Sequence, residues 1–385
     1  TVGGGKAFNR NDPDSLSSSI VDSIADIIQK SQAFTAATVP ATRTAAGGTF
    51  YTSLFVPFES NPYWEGHLKS FQLAANGDIL DRFGNCAVDD PTVGQCKNGP
   101  FKSTAQPFWD AGTQIPNPTV RKLYTSVAGT RVNFDTGSLA AVNLTGLSFA
   151  TPYPGSTATN IEGRADEIVQ NVRGCVFGTG VSSNVSVPSA CTPRPWLLGD
   201  IFHSNPVVVG SPAAFLPESS YTAFASNATY ATRKRVIYAG ANDGFLRGFD
   251  AGTWQASATP PGYDRGTGAE LFGFMPWQIR QKIKDLPRTT DRRGLYYVDG
   301  SPAVADVWMY PSSTAQAKAV NGSEWRTVLV GGLRQGGKGY YALDVTNRTA
   351  PQLLWRIGPS ELPGIGQTWS TLTVARVNAS RTWGS

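Results

Sequence analysis

Any chemistry this chain performs must come from a short set of residues. Gly332-Leu-Arg-Gln-Gly-Gly337-Lys338-Gly339 falls one position short of a phosphate-binding loop. Gly339 stands where a Ser or Thr would meet magnesium. Tyr-Tyr-Ala-Leu then follows, a strand pattern and not the helix whose N-terminus would receive phosphate. A Gly-rich hairpin, with Gly336, Gly337 and Gly339 in its turn, is therefore expected. His203 stands beside Ser204 and close to Asp200, but no Gly-x-Ser-x-Gly turn surrounds the serine. Asn242-Asp243-Gly244 could offer Asp243 to a cation. The same three residues suit a tight turn between strands, where Asn and Gly tolerate positive φ. His67 lies in strand-like sequence with no acidic or Cys cluster beside it. With two His in 385 residues and no Cys-x-x-Cys, zinc is not expected. No catalytic residue and no metal ligand is assigned.

The four Cys fall into two local pairs, Cys86 with Cys96 and Cys175 with Cys191. Each pair brackets a turn-rich loop. Three connectivities are open to four Cys, and nearest-neighbour pairing is expected because shorter loops close more readily. Disulfides imply an oxidising compartment.

Charged residues make up 16 % of the chain and the net charge is +5. No dense Lys/Arg run suggests a nucleic-acid groove, so no nucleic-acid partner is expected. The tightest basic cluster, Arg233-Lys234-Arg235, precedes an apolar strand and reads as a solvated turn. No apolar run is long enough to span a membrane.

The elements that must position these residues are mostly strands. A helix is expected over 12–34, with Asp12 as cap, Pro13 in the first turn, and Leu16, Ile20, Ile24, Ile27 and Ile28 on one face. Strands are expected at Phe50–Val56, Trp64–Leu73 and Arg121–Ser126, with a turn at Asn76-Gly77. A short helix is expected over 164–173. From Leu197 the chain repeats. Ser204–Gly210, Arg235–Gly240, Gly244–Asp250 and Glu270–Pro276 form one set of four strands. Ser301–Asp306, Arg326–Gly331, Gly339–Asp344 and Gln352–Ile357 form a second, and Trp369–Ala375 opens a third. Asp250 and Asp344 close the third strand of their sets. Residues 254–293 enlarge the first set and include a helix from Trp277 to Leu286. Tandem four-stranded units are the signature of propeller blades, which must stack to bury their faces. Trp308, Trp325 and Trp355 fall at strand ends and are expected to pack between blades.

The expected class is thus an all-β propeller of four-stranded blades, an open or incomplete ring within this chain, with a few peripheral helices. Its divisions are residues 1–48, a helix and linker; 49–196, first propeller strands with disulfide-bearing insertions; and 197–385, tandem blades ending in mid-blade.

Four segments resemble the PilY/PilC family of type IV pilus tip-associated adhesins and biogenesis proteins. They are Leu198-Gly-Asp-Ile-Phe-His-Ser-Asn-Pro-Val-Val-Val-Gly-Ser-Pro212, Tyr238-Ala-Gly-Ala-Asn-Asp-Gly-Phe-Leu-Arg-Gly-Phe-Asp-Ala251, Tyr297-Val-Asp-Gly-Ser-Pro-Ala-Val-Ala-Asp-Val-Trp308 and Trp325–Asp344. Phe108-Trp-Asp-Ala-Gly112 and Arg121–Thr125 also resemble it. Gly199, Asp200, His203, Ser204, Pro206, Asn242, Asp243, Gly244, Asp250, Asp299, Gly300, Gly336, Gly337, Gly339 and Asp344 are the motif residues, expected to be structural. The resemblance implies a non-enzymatic adhesin and pilus assembly factor at the pilus tip or outer cell surface, exported through the periplasm. Implied partners are minor pilins, the pilus machinery and a host or abiotic surface receptor. Some members bind calcium in an acidic loop far along the propeller. No such loop lies in these residues, so no cofactor is expected within them and a calcium loop would lie beyond Ser385. A von Willebrand A-like domain, common in members, would precede the helix at 12–34. Two alternatives remain: a quinoprotein-like dehydrogenase on a related propeller, and a structural filament or scaffold module.

Overall fold

The computed structural model describes residues 48–57, 63–135, 137, 156–176, 191–213, 216–288, 295–309 and 319–375. The helix expected over 12–34 lies outside the described residues.

The first lobe is a small antiparallel sheet. β1 (Gly48–Val56) pairs with β2 (Glu65–Leu73) along its whole length, and β2 also carries β3 (Ile79–Leu80) and β4 (Trp109–Asp110). The Asn76-Gly77 turn joins β2 to β3. Its Gly77 N donates to Ala74 O, and Asn76 Oδ1 accepts from Asp78 N. Beyond β3, Cys86 and Cys96 lie at disulfide distance within the loop that returns to β4.

The second sheet contains the first expected four-strand unit, and two further strands. β5 (Leu123–Val127) and β6 (Thr130–Asn133) form a hairpin. The unit itself is β7 (Val207–Val209), β8 (Arg235–Gly240), β9 (Leu246–Gly252) and β12 (Glu270–Phe274). Between them β10 (Trp254–Gln255) and β11 (Gly262–Tyr263) make a separate ribbon. The order is β6-β5-β12-β9-β8-β7, with β5 parallel to β12 and the other pairs antiparallel. The third sheet is the second unit: β13 (Ala303–Trp308), β14 (Trp325–Gly332), β15 (Tyr340–Asp344) and β16 (Gln352–Ile357), paired in sequence order. Among the described residues no sheet closes on itself.

Among the described residues four α-helices pack on the sheets. α1 (Ile161–Arg173) is capped by Asn160, whose Oδ1 accepts from Gly163 N, and it buries Ala165, Ile168, Val169 and Val172. α2 (Ser219–Ser226) and α3 (Ala228–Ala231) fill the β7–β8 connection. α4 (Trp277–Lys282) continues as a 3-10 turn over Ile283–Arg288. The main core lies between the second and third sheets and runs under α1 and α4. Phe245, Leu246, Phe272, Ile279, Ile283, Leu329 and Leu343 are fully buried there. Each such side chain contributes about 1.5–3 kcal/mol by leaving water.

Three expectations need correction. Residues 369–375 form no strand. Their backbone has one ladder contact nearby, the Arg334–Thr368 bridge, and with no further strand alongside, most of the segment is exposed. The Arg233-Lys234-Arg235 cluster is not a solvated turn. Arg233 donates to Gly210 O and Thr327 Oγ1, and Arg235 to Ala251 O and Asp264 O. Three backbone carbonyls and the Thr327 hydroxyl take these guanidinium donors, which is what lets both arginines be buried. The tryptophans divide. Trp325 and Trp308 pack with Tyr221 and Phe224 of α2, so a helix inserted by the first unit meets the second unit through them. Trp355 is 40 % exposed and packs between no blades.

Candidate functional site

The sequence motifs converge on one buried polar junction. Its centre is the β8–β9 turn. Ala241 N donates to Phe245 O, Gly244 N donates to Ala241 O, and Gly244 takes φ +104, which the absence of a Cβ permits. Unlike most such turns this one is buried: Asn242 and Asp243 are each 1 % exposed. Buried polar groups must be paired, and here the partners come from two separate segments, Gly199-Asp200 and Tyr297. Asn242 Nδ2 donates to Asp200 Oδ2 at 2.8 Å, and Asn242 N donates to Asp200 O. Asn242 Oδ1 accepts from Tyr297 N at 2.9 Å. Asp243 Oδ2 accepts from Gly199 N at 2.7 Å.

A chain of buried charges extends from Asp243. Arg247 of β9 bonds both Asp243 and Glu270 of β12. Arg121 grips the same Glu270 with two bonds of 2.8 Å, and also donates to Arg173 O. Arg173, the last residue of α1, donates to Phe134 O, Pro118 O and Arg121 O. Burial opposes ionisation of Glu270, but Arg121 and Arg247 outweigh it and hold the carboxyl at about 2. Arg173 moves down to about 10, first through burial and then through the nearby Arg121 charge. Burial pushes Arg247 down, yet its two carboxylates raise it on balance.

His203 leads toward β7 from the other side of the junction. Its Nδ1 lies 2.8 Å from Asp299 Oδ2, just before β13. Burial pushes the Asp299 carboxyl up, against the pull of His203. Ser204 does not face this pair as a nucleophile: its Oγ accepts from Gly240 N at 2.8 Å. Pro206 is buried immediately before β7. His67 has the acidic partner that local sequence did not reveal. Its Nδ1 sits 2.7 Å from Asp110 Oδ2 and its ring lies against Trp196. The partner is 43 residues away in sequence, so only the β2–β4 pairing brings it close.

The Gly332–Gly339 stretch is the β14–β15 hairpin, with Gly337 against Leu333 and Gly339 against Gln278. Gly336 presses on the start of the second unit, where a Cβ would sit 1.6 Å from Tyr297 O. Lys282 Nζ donates to Tyr296 O and Gly336 O, which fastens the hairpin there. A Cβ on Gly300 would meet Gly332 O at 2.3 Å. Asp250 and Asp344 do matching work. Each accepts from the backbone N two residues on, Gly252 and Thr346, and each meets a basic residue near the start of the preceding strand, Lys234 and Arg326. Cys175 and Cys191 lie at disulfide distance beside the end of α1.

The junction is therefore a hydrogen-bonded scaffold that joins the two units, with Asp243 Oδ1, Arg247 Nε and Asp299 Oδ1 buried without a hydrogen-bond partner. Sequence reasoning marked Asp200, Asn242, Asp243 and Asp299 but missed Arg121, Arg173, Arg247 and Glu270. Only the apolar setting of Arg247, between Leu246 and Gly248-Phe249, hinted that it had to be paired. Among the described residues, no group of three or more His, Cys, Asp or Glu gathers as a metal site, and no helix is long and apolar enough to cross a membrane.

Residues 198–379 match the family described as the PilY1 beta-propeller domain. The type IV pilus biogenesis factor PilY1 of Pseudomonas aeruginosa is 37 % identical over 195 residues, covering 48 % of this chain and 14 % of that protein. A PilY1 homolog of Xylella fastidiosa is 37 % identical over 210 residues, covering 52 % of this chain and 15 % of that protein. The chain thus spans only a small part of the length of these relatives. The crystal structure of the Pseudomonas aeruginosa PilY1 C-terminal domain aligns with TM-score 0.31 and 34 % identity, covering 44 % of this chain and 29 % of that one. That score is too low to bear on the fold. The residue-level match thus makes residues 198–379 similar to the PilY1 beta-propeller domain.

Proposed function

We propose that this chain is the propeller region of a non-enzymatic type IV pilus biogenesis factor that also serves in surface attachment. The observation that carries the reading is the match of residues 198–379 to the PilY1 beta-propeller domain, together with relatives named as pilus biogenesis factors. The protein works at the pilus tip or outer cell surface, after export through the periplasm. Its partners are minor pilins, the pilus machinery and a surface receptor. Two disulfide-distance Cys pairs suit that route through an oxidising compartment.

The non-enzymatic part rests on how the reactive groups are used. Ser204 Oγ accepts a backbone bond, and Asp243 is taken by Arg247 and Gly199 N. A quinoprotein-like enzyme needs a carboxylate free to meet cofactor and substrate. Deleting the gene should abolish surface pili and attachment, and the full-length gene supplied in trans should restore both. Normal piliation and adhesion in the deletion strain would overturn the reading. Dye reduction by purified protein given quinone and calcium would overturn its non-enzymatic part.

A further inference from the structure

Residues 192–200 run as one strap across three parts of the fold. At its start, Val176 N donates to Thr192 O at 2.8 Å and Arg194 N donates to Gly174 O at 2.8 Å, which sets the strap beside the end of α1. The Cys175–Cys191 bond closes the same place covalently. In the middle the strap crosses the first lobe. There the Arg194 guanidinium lies 3.3 Å over the Tyr63 ring, Trp196 Nε1 donates to Gly66 O at 3.0 Å, and Gly66 N donates to Leu198 O at 2.9 Å. At its end, Gly199 N donates to Asp243 Oδ2 at 2.7 Å and Asp200 O accepts from Asn242 N at 2.9 Å. Gly199 and Asp200 thereby enter the buried junction.

The two ends are held differently. Leu198, Gly199 and Asp200 are buried, whereas Thr192 and Pro193 are exposed. Water competes for backbone bonds at an exposed end, and such bonds open at low cost. A covalent bond is not open to that competition. Cys175 is buried, but Cys191 is half-buried and next to the exposed Thr192, the side from which an attacking thiolate would come. Cys86 and Cys96 offer a contrast, since their loop returns to the lobe it leaves.

We propose that Cys175–Cys191 is a redox latch. As a disulfide it holds residues 192–200 against α1 and the first lobe, and so seats Gly199 and Asp200 on the Asn242-Asp243 turn. As two thiols it lets the strap lift from that turn while the sheets stay folded. Closing the latch removes two electrons and two protons from the pair of thiols, and a disulfide oxidant takes them and becomes a dithiol. The junction is therefore completed only where such an oxidant acts. Where in the cell that happens rests on the export reading above; the latch itself does not.

Hydrogen–deuterium exchange of the purified full-length protein tests it, read by mass spectrometry on peptides spanning 194–200 and 240–246 and on a peptide from β14. Dithiothreitol is the probe; it reduces the bond and closes to its own cyclic disulfide. Applied to the Cys86→Ser, Cys96→Ser variant it opens, of these two bonds, only the latch, and thiol titration confirms the reduction. Exchange in the first two peptides should speed up by at least about tenfold, part of what removing a link across a loop of this size predicts. The β14 peptide should not change. Before reduction, that variant should exchange like the wild-type protein in all three peptides. Unchanged exchange after reduction overturns the proposal. So does an equal rise in β14, which would make the bond a general stabiliser, and so does a tenfold rise before reduction. Exchange is read on purified protein and piliation on cells, so either reading can fail alone.

Discussion

Asn242 in the β8–β9 turn accepts a 2.9 Å hydrogen bond from the backbone N of Tyr297, which leads into β13. A residue of the first four-stranded unit thereby holds the start of the second. Its amide also donates to Asp200, so a single side chain joins three motif segments. Asn242→Ala should therefore take one hydrogen bond from the buried Asp200 carboxylate and one from the Tyr297 backbone N–H. The expected cost is about 2–4 kcal/mol, a hydrogen bond to a charged group contributing about 1.5–3 kcal/mol and a neutral one about 0.5–1.5 kcal/mol. Denaturant unfolding with an unchanged m-value checks it; a loss below about 0.5 kcal/mol would show that water replaces the amide.

Arg247 serves two buried carboxylates, Asp243 and Glu270. Arg247→Leu leaves Asp243 with only the Gly199 N–H and Glu270 with only Arg121, and should cost about 3–5 kcal/mol. Joint replacement of Arg247 and Asp243 by apolar residues should cost less than the sum of the singles. A double-mutant cycle on unfolding free energy decides this, and simple additivity would refute the coupling.

The same cluster fixes an acid limit. Glu270 is held at about 2 against an ordinary 4.5. A depressed carboxyl contributes stability above its unfolded value and loses it as pH falls toward the folded one. Unfolding free energy should decline between about pH 4.5 and 2, with a contribution from this group of about 3 kcal/mol. Glu270→Gln should flatten that stretch of the stability profile while lowering stability at neutral pH.

Gly336 sits where a Cβ would approach Tyr297 O to 1.6 Å. Gly336→Ala must push the β14–β15 hairpin off the start of the second unit. A loss of about 1–3 kcal/mol is expected, as for other overpacked positions. Gly337→Ala, with its nearest atom at 3.0 Å and on a side chain, should cost less. Equal thermal shifts for the two would contradict the contact.

Cys175 and Cys191 bridge 16 positions beside the end of α1, and Cys86 and Cys96 bridge 10 in the first lobe. Each bond should stabilise by about 3 kcal/mol by restricting the unfolded chain. Thiol titration under denaturing conditions should find no free thiol before reduction and four after it.

The two four-stranded units were legible because each strand is short, apolar and punctuated by Gly, Pro or Asp. Asn242-Asp243-Gly244 announced a turn and is one. What stayed hidden is non-local. Nothing in Leu123–Val127 shows that it will lie parallel to Glu270–Phe274, since period and propensity describe a strand and not its partner. Arg233 and Arg235 looked solvated because charge suggests water until partners are known. His67 looked unpaired because Asp110 is brought to it only by β4. Residues 369–375 have a strand's composition, yet a strand also needs a neighbour.

β5 lies beside β12 although some 150 positions separate them. The family match begins at residue 198 and so omits both β5 and β6. A fragment cut at that boundary would bare the outer edge of β12 and strand Glu270 without Arg121. Open edges recruit other chains. Such a fragment should self-associate, whereas one beginning at β1 carries its own cover. For this fold, the boundary of recognisable sequence is not the boundary of an independent folding unit.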